Sequence, residues 1–321
     1  MKSKERFPPD PLPRKTNNKL FYILRKEQLK AEVNLLKREL DACQLAERSI
    51  SKKYRKEIWN PFIAAVKRYE LVQEGDRIAV CISGGKDSML LAKLMQMLQK
   101  YTEVPFDLVF LTMDPGYNEL NRKKIEENAA LLRVPLTIFE TDIFDVANKT
   151  EKNPCYLCAR MRRGHLYSQA QKLGCNKIAL GHHFSDVIET TVLSMFYGAQ
   201  LQGMLPKLHS ANYPGMALIR PLYCVHEDDI IAWTRYNHLE FIQCACRFTE
   251  AAGEDAHLSK RREIKELIRQ LKRQNPDIEK SIFASLHSVC LDTFPGYKHE
   301  GEEHSFLERF EEQEKDTKLA Q

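Results

Sequence analysis

Apolar positions follow two rhythms along this chain. Leu29, Val33, Leu36, Leu40 and Cys43 alternate steps of four and three, a heptad stripe of about two repeats on a helix predicted over residues 20–58. The stripe packs against the body or against a second copy, so it permits a homodimer without requiring one. From about residue 75 the rhythm shortens to β-rich runs: RIAVCIS (77–83), FDLVFLTMD (106–114), PLTIFETDI (135–143) and KIALGHH (177–183). Between them SMLLAKLMQMLQK, NELNRKKIEENAALLR and the stretch around MRRGHLYSQAQKLG carry helical spacing. Alternation of this kind predicts an α/β fold with a doubly wound, mostly parallel sheet.

The same pattern divides the chain. Residues 1–19 are rich in Pro, Lys and Asn without periodicity and read as a flexible basic arm. The helical segment 20–58 follows, then a body at 59–250, C-terminal helices at 251–298 and an acidic tail at 299–321.

Composition narrows the partners. The net charge of the 321 residues is +5, yet residues 1–60 hold 16 Lys or Arg against 8 Asp or Glu, so the first sixty carry +8 and the rest −3. A second basic run, SKRREIKELIRQLKRQ at 259–274, is offset by 8 acids against 3 bases from Glu300 onward. Basic segments on a near-neutral body point to a polyanion partner; solvated helix faces are the plainer reading. No apolar run approaches the roughly 20 residues of a membrane helix, and MKSKERFPPDPLPRK has no secretory apolar core, so no membrane association and a cytoplasmic address are expected. In a reducing compartment the nine cysteines read as thiols rather than disulfides.

Candidate chemistry gathers at strand ends, where doubly wound sheets bind ligands. SGGKDS follows the first strand, Asp114 ends the second and His182–His183 follow the fourth, so three strand tips are expected to share one crevice. In SGGKDS, Ser83, Gly84 and Gly85 form a turn with exposed backbone amides ahead of a helix N-terminus, a cradle for phosphate. Lys86 can neutralise charge, Ser88 can donate a hydroxyl, and Asp87 suits the Mg²⁺ that accompanies nucleotide phosphates. The pattern is neither a Walker loop nor G-x-G-x-x-G; an ordinary strand-to-helix turn is the plain alternative.

Cys155 and Cys158 stand at C-x2-C spacing at the opening of a predicted helix. That pair alone leaves half a zinc site, a dithiol couple or part of an iron-sulfur site open. Cys244 and Cys246 lie downstream in IQCACRFTE. Three arginines in RMRRG, Arg162 and Arg163 foremost, suit RNA phosphate or a leaving pyrophosphate, or else a solvated helix face. Cys43, Cys81, Cys175, Cys224 and Cys290 have no partner at ligand spacing and read as small buried hydrophobes.

SGGKDS after a buried strand resembles the loop of the N-type ATP pyrophosphatase (PP-loop) superfamily. CYLCARMRRGHLY, LGCNKIALGHHFSDVIETTVLSMFYGAQLQGMLPK and IRPLYCVHEDDI resemble, within it, the TtcA-type tRNA 2-thiocytidine synthetase group, over roughly Glu57 to Phe294. The resemblance implies that the 59–250 body is a PP-loop domain binding ATP and Mg²⁺ at Ser83, Gly84, Gly85, Lys86, Asp87 and Ser88. Asp114, Gly181 and His183 are implied nucleotide contacts, and Lys86, Asp87, Arg163 and Asp186 are implied catalytic groups, Asp186 as a general base or metal-side carboxylate. It further implies a 4Fe-4S cluster on Cys155, Cys158 and a downstream cysteine, with tRNA as substrate and a cysteine desulfurase or another sulfide donor as partner. The implied reaction adenylates the C2 carbonyl of a tRNA cytidine, at position 32 in the family, and replaces its oxygen with sulfur.

The downstream motif departs from the family, whose Pro-Cys and second C-x2-C are here Gln243, Cys244 and Cys246. Alignment of FIQC favours Cys244 as third ligand; a one-residue slip favours Cys246, and use of both would close the site or suit zinc. Two alternatives stay open: a related enzyme thiolating another base or using an amine nucleophile, and a non-enzymatic RNA-binding or redox-sensing protein.

Overall fold

The computed structural model describes residues 40–141, 143, 154–242 and 256–311; the side chains of 154–160 and 256–259 fall outside that description. The arm at 1–19, most of the 20–58 segment, Cys244, Cys246 and the end of the acidic tail therefore lie outside the described residues.

The body is the expected doubly wound sheet. Strands β1 (Arg77–Ile82), β2 (Asp107–Asp114), β3 (Leu136–Glu140), β4 (Lys177–Ala179), β5 (Lys207–His209) and β6 (Ala217–Ile219) lie in the order β3-β2-β1-β4-β6-β5. All neighbouring pairs are parallel except β5 with β6. From β1 the chain winds outward through β2 to β3, then returns to place β4 on the other flank of β1. The switch point between β1 and β4 is where such a sheet opens a crevice.

Strand alternation builds two cores. Ile78, Val80 and Ile82 face one layer with Met89, Leu90, Leu94 and Trp233, while Ala79 and Cys81 face the other with Tyr167, Ala170 and Leu218, as the two-residue period requires. The crossover helices are α3 (Lys86–Tyr101), α4 (Glu119–Leu131), α5 (Pro154–Lys172) and α6 (Phe184–Gly198); α7 (Glu227–Tyr236) follows β6.

Three boundaries differ from expectation. At Leu40–Asp41 the chain is not helical: Asp41 accepts the backbone N–H of Gln44, and Gln44 reaches back to the N–H of Asp41, starting α1 (Ala42–Ser51) with a capping box. The heptad stripe is thus broken between Leu40 and Cys43. Through α1, a π-helical turn (Arg55–Trp59) and α2 (Asn60–Arg68), buried Ala46, Ile50, Ile58 and Phe62 join the main core, so packing begins well before residue 59. Thirdly, residues 296–305 form a hairpin, β7 (Gly296–His299) and β8 (Glu302–Ser305), turned at Glu300 and Gly301 with φ of 52° and 91°.

The basic run forms α8 (Ala256–Gln274), followed by α9 (Ile278–Ser285). Ile264 and Ile268 bury against Phe184 and Ile188 of α6. Among the described residues no helix is long and apolar enough to cross a membrane.

Candidate functional site

The tips of β1 and β4 close around an open cavity of about 400 Å³, lined by Ser83, Asp87, Ser88, Arg162, Arg163 and His182 among others. The glycine loop is held by hydroxyls. Ser88 Oγ donates to Gly85 O at 2.9 Å and lies 3.2 Å from both the backbone N and the Oγ of Ser83. Gly84 sits at φ +84°, where a Cβ would fall 2.5 Å from Ile125 Cγ1; glycine alone fits. Gly85 begins α3 with no side-chain cap, leaving the first-turn amides for an anion. Across the switch point Gly181 presses on this loop, for its Cβ would meet Ser88 N at 3.1 Å and Asp87 C at 3.2 Å.

Charge in the loop is paired. Lys86 Nζ donates to Asp87 Oδ2 at 3.1 Å and to Glu227 Oε1 at 3.2 Å. Burial opposes its charge, but the two carboxylates outweigh that and hold the amine above the usual lysine value. Asp87 Oδ1 is buried without a hydrogen-bond partner among the described residues, with His183 Nε2 3.8 Å away. A buried, unpartnered carboxylate oxygen at a phosphate cradle fits a divalent cation.

The two histidines divide the work differently from expectation. His183 caps α6: its Nδ1 accepts the N–H of Asp186 at 3.3 Å, and Asp186 Oδ2 accepts the N–H of His183 at 3.0 Å. His182, expected at the strand tip but not chosen as the ligand contact, lines the cavity, and its buried Nδ1 has no hydrogen-bond partner among the described residues. Burial, aided by Arg220 and Arg261 against the pull of Asp186, lowers His182 to about 4, so its imidazole is neutral at neutral pH.

Asp186 does have a place beside the cavity, but both its oxygens are engaged, Oδ1 by Arg261 at 2.6 Å. Burial works to raise it, while His183 and Arg261 outweigh burial and hold it below the usual carboxylate range. A carboxylate so held is a weak base at neutral pH. Asp114 lies apart: Oδ1 accepts from Gly116 and Tyr117 amides at 2.9 and 2.7 Å, and Oδ2 pairs with Arg122 at 3.1 Å. Adjacent strand residues face opposite sides, so Met113, and not Asp114, lines the cavity.

Cys155 and Cys158 fall near the start of α5, Cys155 about two turns and Cys158 about one turn before Arg162. Their three-residue spacing sets them on one helix face. Among the other described cysteines, Cys43, Cys81 and Cys175 are buried as expected, whereas Cys290 is exposed. Burial pushes Cys81 up to about 12 and Cys224 up to about 11, and also raises Cys43 and Cys175.

Several groups beyond the sequence reading enter the site. Glu227, at the start of α7, joins Lys86 to Lys265 of α8. Burial opposes its ionisation, yet Lys265 and Lys86 bring it down to about 2. Arg220, just past β6, is buried, and its Nε has no hydrogen-bond partner among the described residues; burial, with Arg163 nearby, lowers it to about 10. It stood in the IRPL motif, though nothing local marked its burial.

A family model described as a PP-loop domain matches residues 50–246. A tRNA-cytidine(32) 2-sulfurtransferase of Geobacter metallireducens is 37% identical over 242 residues, 74% of this chain and 91% of that protein. One of Alcanivorax borkumensis is 35% identical, over 75% of this chain and 82% of its own length. Among solved structures, the U34-tRNA thiolase NcsA from Methanococcus maripaludis with its 4Fe-4S cluster aligns over 75% of this chain and 80% of its own, with a TM-score of 0.58 and 19% identity, a likeness of fold. The chain belongs to the PP-loop family, alongside proteins named tRNA-cytidine(32) 2-sulfurtransferase.

Proposed function

We propose that the protein is an ATP-dependent tRNA sulfurtransferase that converts a cytidine, at position 32 as in its relatives' name, to 2-thiocytidine. One observation carries the reading: α5 brings Arg162 and Arg163 into the nucleotide cavity and bears Cys158 about one turn and Cys155 about two turns earlier. Nucleotide activation and sulfur chemistry then meet on one rigid element.

ATP lies with its phosphates on the amides of Gly84 and Gly85, with Lys86 and Ser88 as side-chain contacts and Mg²⁺ held by Asp87. The C2 carbonyl oxygen of a cytidine flipped into the cavity attacks the α-phosphorus, and pyrophosphate leaves. Arg162 and Arg163 offset the charge that develops on that leaving group. His182, neutral and with a free nitrogen, accepts a hydrogen bond inside the cavity, while Gly181 and His183 hold the β4 tip against the loop. Sulfide from a cysteine desulfurase or another donor then displaces AMP at C2. Cys155, Cys158 and Cys244, with Cys246 as the alternative third ligand, would hold a 4Fe-4S cluster, which would supply an iron not bound by the protein for sulfur transfer. The donor set fits by type and spacing: two cysteines three residues apart stand on the same helix as Arg162 and Arg163. A cytoplasmic address and thiolate ligands agree, and the apolar stripe before Leu40 is compatible with a homodimer.

Nucleoside mass spectrometry of total tRNA with and without the gene tests the reading. Loss of 2-thiocytidine is expected. Persistence of every thionucleoside would overturn it, and retained activity in Cys155→Ala would favour an amine nucleophile instead.

A further inference from the structure

Helix α8 has two faces of different chemistry. Its inner face grips the site: Ile264 and Ile268 are buried against α6, Arg261 pairs with Asp186 at 2.6 Å and Glu189 at 3.1 Å, and Lys265 pairs with Glu227. Its outer face exposes Lys260, Arg262, Arg269 and Arg273, with Lys260 Nζ 5.0 Å from the ring centroid of half-exposed Tyr197. Acidic Glu263 and Glu266 share that outer face, so the cationic excess is modest but one-sided.

Glu227 is where the two faces reach the nucleotide loop. Its Oε1 accepts from Lys86 at 3.2 Å, and its Oε2 accepts from Lys265. One carboxylate, 14% exposed, therefore spans the loop lysine and the basic helix, 141 residues from the first and 38 from the second. With both oxygens committed, a shift of α8 changes the position and field that Glu227 offers Lys86. Among the described residues the other charged partner of Lys86 is its own neighbour Asp87, which is itself the candidate cation ligand. Glu227 is thus the group free to aim Lys86 while Asp87 is occupied.

We propose that Glu227 is a positioning residue for Lys86, and that α8, through Lys265, couples Lys86 to RNA phosphates bound on its outer face. The coupling half rests on the tRNA reading above. Phosphate contacts on Arg262, Arg269 and Arg273 hold α8 in place; the seated helix holds Glu227, and Glu227 holds Lys86 toward the nucleotide phosphates. ATP activation then proceeds best when RNA is docked, which limits futile cleavage.

The test labels Lys86 with an amine-reactive acetylating reagent at one fixed pH, read by peptide mass spectrometry, in the full chain with and without an unmodified tRNA transcript. Wild type, Glu227→Gln, Glu227→Asp and Lys265→Met are compared after their melting curves establish that they are folded. In Glu227→Gln, which no longer anchors the ammonium of Lys86, the extent of Lys86 labelling is expected to rise over wild type, and Glu227→Asp is expected to restore part of the protection. Equal labelling of Lys86 in wild type and a folded Glu227→Gln protein would overturn the positioning role. Transcript is expected to alter Lys86 labelling in wild type and not in Lys265→Met; an equal response in both would overturn the coupling. Should wild type fail to shift the transcript in a gel, the tRNA reading falls and the coupling with it, while labelling without transcript still decides the Glu227 role.

Discussion

Arg261 and Asp186, 75 residues apart in the chain, meet at 2.6 Å, and the same guanidinium reaches Glu189 at 3.1 Å. One arginine of α8 thereby serves two carboxylates on the first turns of α6. Arg261→Ala leaves Glu189, 7% exposed, as a buried charge without its cation. A loss of about 2–4 kcal/mol is expected by urea unfolding near neutral pH. The sign with pH follows from Asp186, whose folded value is depressed. Its contribution is present above the unfolded carboxylate value and is lost as pH falls through the folded one. The gap between wild type and Arg261→Ala should therefore narrow in acid.

Glu227 makes the same kind of prediction over a defined window. Its value falls from 4.5 to about 2, so its stabilisation is complete above 4.5 and fades between there and about 2. Glu227→Gln should flatten the acid limb of the stability curve in that window, measured by melting temperature against pH.

Asp229 predicts the opposite. Burial, reinforced by Glu57 and Asp228, raises its carboxyl to about 6, so the folded state holds its proton more tightly than the unfolded chain. Folding is penalised progressively as pH rises from the unfolded value of 3.8 to about 6, and fully above that. Asp229→Asn should stabilise the protein near neutral pH by on the order of 1–2 kcal/mol, given partial exposure, and have little effect in acid. A melting temperature unchanged at neutral pH would contradict this.

Gly181 tests the junction of β4 with the glycine loop. Its neighbours are backbone atoms of Asp87 and Ser88 at 3.1 to 3.4 Å, which cannot rotate away as a side chain would. Gly181→Ala must displace the loop, and a shift of about 1 Å in a positioned group can cost on the order of a hundredfold in rate. Pyrophosphate release from ATP in the presence of tRNA should fall accordingly, with a melting temperature lowered by overpacking. Wild-type turnover in this variant would remove Gly181 from the site.

What could be read before folding was what short-range chemistry dictates. SGGKDS carries its own turn, helix start and charge, and the long apolar runs of β1 and β2 declare buried strands. Three-residue strands such as β5 and β6 carry too little periodicity to be recognised. At a strand tip one residue decides the facing, so Met113 was missed for Asp114 and His182 for His183. Asp41 with Gln44 did spell a capping box, which outweighs a heptad of two repeats because it satisfies backbone groups that otherwise stay unpaired. Glu227 lies in IRPLYCVHEDDI and Arg261 and Lys265 in the basic run, but nothing local marked their pairing, since their partners come from helices distant in sequence.

Lys177 and Asp76 offer the clearest separation of charge from packing. Their side chains are 5% and 4% exposed and meet at 2.5 Å beneath the sheet's amino edge. Lys177 also donates to Leu71 O at 3.2 Å, and Asp76 accepts from Gln73 N at 2.7 Å and Asn176 Nδ2 at 2.8 Å. Lys177→Met strands a buried carboxylate and Asp76→Leu strands a buried ammonium; each should cost about 3–5 kcal/mol. Combining Lys177→Met with Asp76→Leu removes both charges, so the double variant should be more stable than the sum of the single losses predicts. It should not reach wild type, because Gln73 N and Asn176 Nδ2 lose their acceptor, each hydrogen bond contributing about 0.5–1.5 kcal/mol. Additive losses in urea would show that the pair acts only as two separate hydrogen-bonding groups.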